Sequence, residues 1–351
     1  MKKLTGYIVF ILLAMTTFLP GLAAAPDPGA GGLLKQEDTS IPKYILDAVV
    51  PLDRECEDAV RRAQRLLARR QLPDGSFQGQ YGRGNMGELA FAILALMVNG
   101  TVPGEGEFSE HINRGVQFML NNQTAEGLLS SRSGSQMYEH ALATLALSEV
   151  YGMTANPRIR TALIRAVNLI VRSQHSAGGW RYQPRPAPGD ISISVMQVMA
   201  LRSAADAGVY VPQDTFDKAI RFVYSCYNRR EKGFTYMANS SGAGFARTAA
   251  GVVSLQSVGL KKDPIIRDTM KFLMDRSKRG NESYYWYGHY YCSVALYHFG
   301  GEEWQDYYPR IKKKILNDWK RQGGSYNKVL DTAWAILVLG VPYRYLPIYQ
   351  R

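Results

Sequence analysis

A glycine-bearing turn returns along this chain at nearly even intervals, at Gly75, Gly127, Gly179, Gly233 and Gly324. The steps are 52, 52 and 54 residues and then 91 across the last two units, with Asn281 and Glu282 standing where a fifth turn is expected. Each turn joins two segments of different character. The first has helical period and carries Arg and Lys on one face, as in Arg61, Arg62, Arg65, Arg69 and Arg70, whereas the second is small and apolar on nearly every side, as over 90–96 and 333–339. An amphipathic helix can face water, but a helix that is apolar all round must be buried. Paired helices are predicted over 59–70 and 88–98, 112–121 and 139–151, 159–173 and 192–205, 216–227 and 246–258, 264–276 and 289–299, and 310–321 and 331–339. Two helices in a period near fifty residues define an array of α-hairpins. Six hairpins with a buried second helix, and no polar capping unit at either end, predict an all-α chain closed into an (α/α)6 toroid of inner and outer helix rings.

The start of the chain has a different composition. Lys2 and Lys3, an apolar run over 7–19, Pro20 and then Ala23-Ala24-Ala25 follow the order of a secretory signal peptide cut after residue 25. A retained membrane anchor is the alternative. Residues 26–55 read as a linker, rich in Pro, Gly and Ala at first, with an N-terminal extension, and 56–351 as the toroid. Export predicts a periplasmic or extracellular location and argues against a nucleic-acid partner. Cys56, Cys226 and Cys292 form no CxxC pair, so no disulfide framework holds the domain. The net charge of +12 reads as a solvated basic surface, or as affinity for acidic polysaccharide or an anionic membrane surface.

The segments Ser173-Gln174-His175-Ser176-Ala177-Gly178-Gly179-Trp180, Gln71-Leu72-Pro73-Asp74-Gly75-Ser76-Phe77 and Gln322-Gly323-Gly324-Ser325-Tyr326 resemble the repeat of squalene-hopene cyclases and protein prenyltransferase β subunits. The resemblance covers essentially the whole mature chain. It implies the same toroid, with working residues where the inner helices begin, around one mouth of a central cavity. Aligning the inner helices by their Ala-Leu cores puts Glu88, Glu139, Ile193, Arg247 and Gly288 in one column, and Leu89, His140, Ser194, Thr248 and His289 in the next, with Asp331 at about that level. The expected mouth is therefore polar.

Cyclases of this kind protonate an alkene with a DxDD motif. Its counterpart here, Asp190-Ile191-Ser192-Ile193, keeps only the first carboxylate. A strong carboxylic acid is made by clustering carboxyls, so Asp190 alone does not meet the requirement and better suits an N-cap or turn residue ahead of the helix. The prenyltransferases hold zinc with Asp, Cys and His. His289, Cys292 and Asp331 are the candidate set here, in an order that departs from the family's; without metal they read as a hydrogen-bonding His, a buried thiol and a helix cap. The aromatic run Tyr284-Tyr285-Trp286-Tyr287, with Tyr290 and Tyr291, could line a pocket for an isoprenoid cation or a sugar ring, or simply pack together; Tyr285, Trp286 and Tyr290 are the chosen lining candidates. The catalytic candidates are Asp190, His140, His289 and Asp331. With the acid motif missing, the expected role is non-catalytic binding of an apolar ligand or a protein partner through the cavity or its mouth. The alternatives are an enzyme on isoprenoid lipid and an enzyme degrading acidic polysaccharide.

Overall fold

The computed structural model describes residues 53–131, 134–343 and 346, so the predicted signal peptide and nearly all of the linker lie outside the described residues. Among the described residues twelve α-helices alternate between two rings. The outer helices are α1 (Arg54–Ala68), α3 (Ser109–Asn121), α5 (Pro157–Arg172), α7 (Gln213–Ser225), α9 (Pro264–Ser277) and α11 (Gly301–Arg321). The inner helices are α2 (Met86–Met97), α4 (Gln136–Thr154), α6 (Ile191–Asp206), α8 (Phe245–Ser257), α10 (Tyr285–Phe299) and α12 (Val329–Gly340). Two short antiparallel hairpins sit in the turns, β1 (Gln78–Gly79) with β2 (Gly82–Arg83) and β3 (Tyr227–Asn228) with β4 (Gly233–Phe234).

The inner helices pack on one another in chain order, α12 packs back on α2, and α11 packs on α1. The ring is closed, as the two-ring pattern and the absence of polar caps predicted. Every residue of α2 is buried, which its all-round apolar sequence requires. Aromatic rings from three inner helices meet inside the ring: Phe91 lies 3.8 Å from Trp334 and 6.1 Å from Tyr290 between ring centroids, and Tyr290 lies 4.8 Å from Trp334. No helix among the described residues is long and apolar enough to cross a membrane.

One contact sets the register of the first units. Gln71 donates from Nε2 to the carbonyls of Gly75 (3.0 Å) and His111 (2.9 Å). Gln123 does the same to Gly127 (3.0 Å) and Ala162 (2.9 Å), and Gln174 to Gly178 and Thr215 (both 2.9 Å). A glutamine at the end of one outer helix thus ties its own turn to the next outer helix. Gly75, Gly127 and Gly178 all have positive φ, and a Cβ on them would lie 2.3, 2.5 and 1.9 Å from the carbonyl oxygens of Arg114, Arg165 and Lys218. The structural counterpart of Gly75 and Gly127 is therefore Gly178, one residue before the Gly179 expected from sequence spacing. In the fourth unit Lys232 holds that position, with φ of 51°. The fifth unit has no such glycine; its turn ends instead at Tyr284, with φ of 56°.

Gly82 and Gly127 share a φ of +98°, but nothing lies within 4 Å of a Cβ built on Gly82. Gly82→Ala should cost about 1 kcal/mol from backbone strain alone, and Gly127→Ala clearly more, about 3 kcal/mol or above, because the helix backbone must also move. Urea unfolding of the two variants measures the difference.

Candidate functional site

The second column of the predicted mouth faces the turns between the rings. Nδ1 of fully buried His140 accepts from the Leu129 N–H (3.1 Å), which leaves Nε2–H to donate to the Ala166 carbonyl on outer helix α5 (3.1 Å). Ser194 Oγ accepts in the same way from Trp180 N–H, and Thr248 Oγ1 from Phe234 N–H, both at 3.0 Å. His140, Ser194 and Thr248 are thus equivalent clasps between inner helix and turn. In the fifth unit Nδ1 of His289 lies 3.0 Å from the Tyr307 hydroxyl instead. Burial lowers the pKa of His140 to about 4 and that of His289 to about 3, so both are neutral near pH 7.

The carboxylates of the first column hold structure. Glu139 accepts from Met86 N–H (2.8 Å), Ser131 N–H (2.9 Å) and the hydroxyls of Ser130 (3.1 Å) and Ser131 (2.8 Å), fastening α4 to the start of α2. Glu88 accepts from Gln80 N–H at 2.9 Å, and burial, with Glu139 and Asp331 nearby, raises its pKa. Asp331 is half-buried, and burial raises its pKa against the pull of Lys328.

The candidate zinc set, His289, Cys292 and Asp331, is not assembled: among the described residues no group of three His, Cys, Asp or Glu side chains could hold a metal ion. Cys292 is fully buried, which pushes its thiol pKa up. The candidate aromatics are packed too. Tyr285 stands on His289 (4.3 Å) and Trp286 (5.1 Å), Trp286 on Tyr326 (5.0 Å), and Tyr290 in the centre of the ring.

What opens at the mouth is a cleft of about 820 Å³, where α4, α6, α8 and α10 begin. Tyr138, Tyr182, Tyr236, Tyr284 and Tyr287 line it, with Arg247, Arg276 and Arg279. The placement of Tyr182 and Tyr236 follows from the repeat. Each comes two residues after its turn aromatic, and the Tyr182 carbonyl accepts from Met137 N–H at the start of α4 (2.9 Å) while that of Tyr236 accepts from Ile191 N–H at the start of α6 (3.0 Å). The backbone bond to a neighbouring inner helix puts each side chain over the mouth.

Asp190 lies behind these rings, fully buried. It caps α6, with Oδ1 accepting from Ser192 N–H (2.9 Å) and Ile193 N–H (3.0 Å), while Oδ2 faces Arg181 (3.4 Å) and the Tyr236 hydroxyl (3.3 Å). Burial raises its pKa, opposed by the backbone donors, Arg181 and Tyr236. The N-cap reading of Asp190 is what the geometry contains.

The cleft carries positive field. Arg276 is paired with Glu282 at 2.9 Å, whereas among the described residues no carboxylate lies within ion-pairing distance of Arg247 or Arg279, although Arg247 helps to lower the pKa of Glu231. Among the described residues no side chain caps α8 or α10, so the first-turn N–H groups of α8, residues 245–247, border the cleft with the positive end of the helix dipole. Of the predicted mouth residues only Arg247 lines this space. Tyr284 and Tyr287 belong to the aromatic run that the sequence singles out as a possible pocket lining. Tyr138, Tyr182 and Tyr236 carry no such mark in that reading, although the recurrence of Tyr three residues after Gly179 and Gly233 points to two of them.

No protein-family model matches the sequence, and no curated protein matches it. Solved structures match the fold. An inactive variant of the α-1,6-mannanase GH76A of Salegentibacter sp. HEL1_6, in complex with α-1,6-mannotriose, superposes with a TM-score of 0.60 at 6% identity, over 81% of this chain and 98% of that one. A sugar epimerase from a ruminal bacterium gives 0.58 at 12% identity, over 82% and 98%. A Candida albicans protein geranylgeranyltransferase-I gives 0.48 at 13% identity, over 83% and 92%. The chain shares the α/α toroid fold with the first two, and the fold alone is what such identities carry.

His140 makes a titration test of the clasp. Its unfolded pKa is near 6.5 and its folded pKa about 4, so its stabilising contribution is complete above pH 6.5 and is lost as pH falls through about 4. The loss is on the order of 3 kcal/mol. Urea midpoints at pH 7.5 and 4.5 should differ less in His140→Gln than in the unsubstituted protein.

Proposed function

We propose that the chain binds an acidic oligosaccharide in the cleft at the starts of α4, α6, α8 and α10. The observation that carries the reading is the pairing of Arg247 and Arg279, without ion pairs among the described residues, with a wall of tyrosines above the uncapped start of α8. Tyrosine rings offer broad faces for stacking on the apolar side of sugar rings, and guanidinium groups pair with carboxylates through two parallel hydrogen bonds. The volume, about 820 Å³, is in the range of small-ligand sites. Phe91, Tyr290 and Trp334 pack on one another in the middle of the ring, which speaks against an apolar ligand held among them. The signal-peptide order of residues 1–25 supports export, which would place the cleft where acidic polysaccharides occur.

Isothermal titration with tetragalacturonate tests the reading. Saturable binding is expected, weakened about tenfold or more by Arg247→Ala combined with Arg279→Ala and weakened by added salt. Absence of binding, or binding indifferent to both arginines, would contradict it.

A further inference from the structure

The hydroxyl groups at the back of the cleft form a chain with one end in a buried carboxylate. Tyr236 donates its hydroxyl proton to Asp190 Oδ2 at 3.3 Å, and the hydroxyls of Tyr182 and Tyr236 are in short hydrogen-bond contact. The donors around Asp190 fit its ionised form: two backbone N–H groups on Oδ1, and the Arg181 guanidinium and the Tyr236 O–H on Oδ2. Arg181 also lies over the rings of Tyr182 (4.9 Å) and Tyr236 (5.3 Å), fixing both. Each phenol has one proton. With the Tyr236 proton committed to Asp190, the bond between the two hydroxyls takes its proton from Tyr182. The Tyr182 oxygen is then left with lone pairs and no proton to give.

The cationic groups of the cleft have the opposite sense, and its one carboxylate, Glu282, is engaged by Arg276. Arg247, Arg279 and the first-turn N–H groups of α8 are donors that call for an acceptor. Tyr287 commits its hydroxyl proton to the Ser192 carbonyl at 3.3 Å.

We propose that Asp190, acting through Tyr236, fixes Tyr182 as a hydrogen-bond acceptor in the cleft, so that the site selects anions that also present a hydroxyl donor, as free uronic acids do. This rests on the reading of the cleft as an acidic-saccharide site. Asp190 and Tyr236 are positioning residues, and Tyr182 is the group that meets the ligand.

Two probes separate the claims: tetragalacturonate, which has carboxylates and free hydroxyls, and linear polyphosphate, which is anionic without sugar hydroxyls. Tyr236→Phe removes the link while keeping the ring. Asp190→Asn keeps an N-cap oxygen but presents an amide donor to Tyr236, which reverses the chain. Each should weaken tetragalacturonate about tenfold and leave polyphosphate unchanged, whereas Arg247→Ala should weaken both. Thermal unfolding reports whether the variants are folded. Equal weakening of both probes by Tyr236→Phe, or no change in their ratio in either folded variant, overturns the proposal. Binding of polyphosphate alone by the unsubstituted protein also overturns it, while leaving an anion site. Binding of neither probe removes the underlying reading and this proposal with it.

Discussion

The ring depends on backbone meeting backbone at its turns. Between the first four outer helices, a glutamine amide bridges two carbonyls, and a glycine beside it lets the next helix approach to a distance at which any Cβ would collide. That approach fixes the pitch between hairpins. Once pitch is fixed, the inner helices fall into a closed ring, and the polar side chains His140, Ser194 and Thr248 near their starts all receive the N–H of a turn residue. Buried N–H groups need such partners, and the repeat supplies one in three successive units.

The fifth unit departs from this rule, and the cleft opens beside it. Its turn lacks the glycine, His289 is engaged by Tyr307, and the segment ending at Tyr284 lines the opening. The neighbouring third and fourth units contribute Tyr182 and Tyr236 by carbonyls bound to the starts of α4 and α6. Helix starts that no side chain caps then face a space bordered by arginines. A break in a structural repeat has thus become the place where donors are left over for a ligand.

The fold was legible because burial of a whole helix leaves no polar face to conceal, as over 90–96, and because turn glycines recur. The register was off by one at Gly178 and Gly179, since two adjacent glycines satisfy the same spacing; the glutamine four residues earlier, as at Gln71 and Gln174, is the signal that resolves it. The site was harder to read. Successive helix residues point about 100° apart, so a column displaced by one position moves from the mouth to the seam between rings, as His140 and Ser194 do. Their polarity satisfies the turns. Arg247 alone of its column reaches the opening, the buried Glu88, Glu139 and Ile193 being part of the packed structure, whereas Tyr182 and Tyr236 lie in irregular turns whose direction is set by bonds to another helix. Asp190 read as a cap ahead of its helix more readily than as a lone acid, and its backbone partners are those of a cap.

Amide hydrogen exchange in the presence and absence of tetragalacturonate tests the account most directly, because it reports where a ligand sits without presuming which residues hold it. Protection should rise over 181–190, 236–247 and 276–287, with α1 and α3 on the far side of the repeat unchanged. Protection confined to the outer helices, or absent from those three segments at saturating ligand, would contradict it.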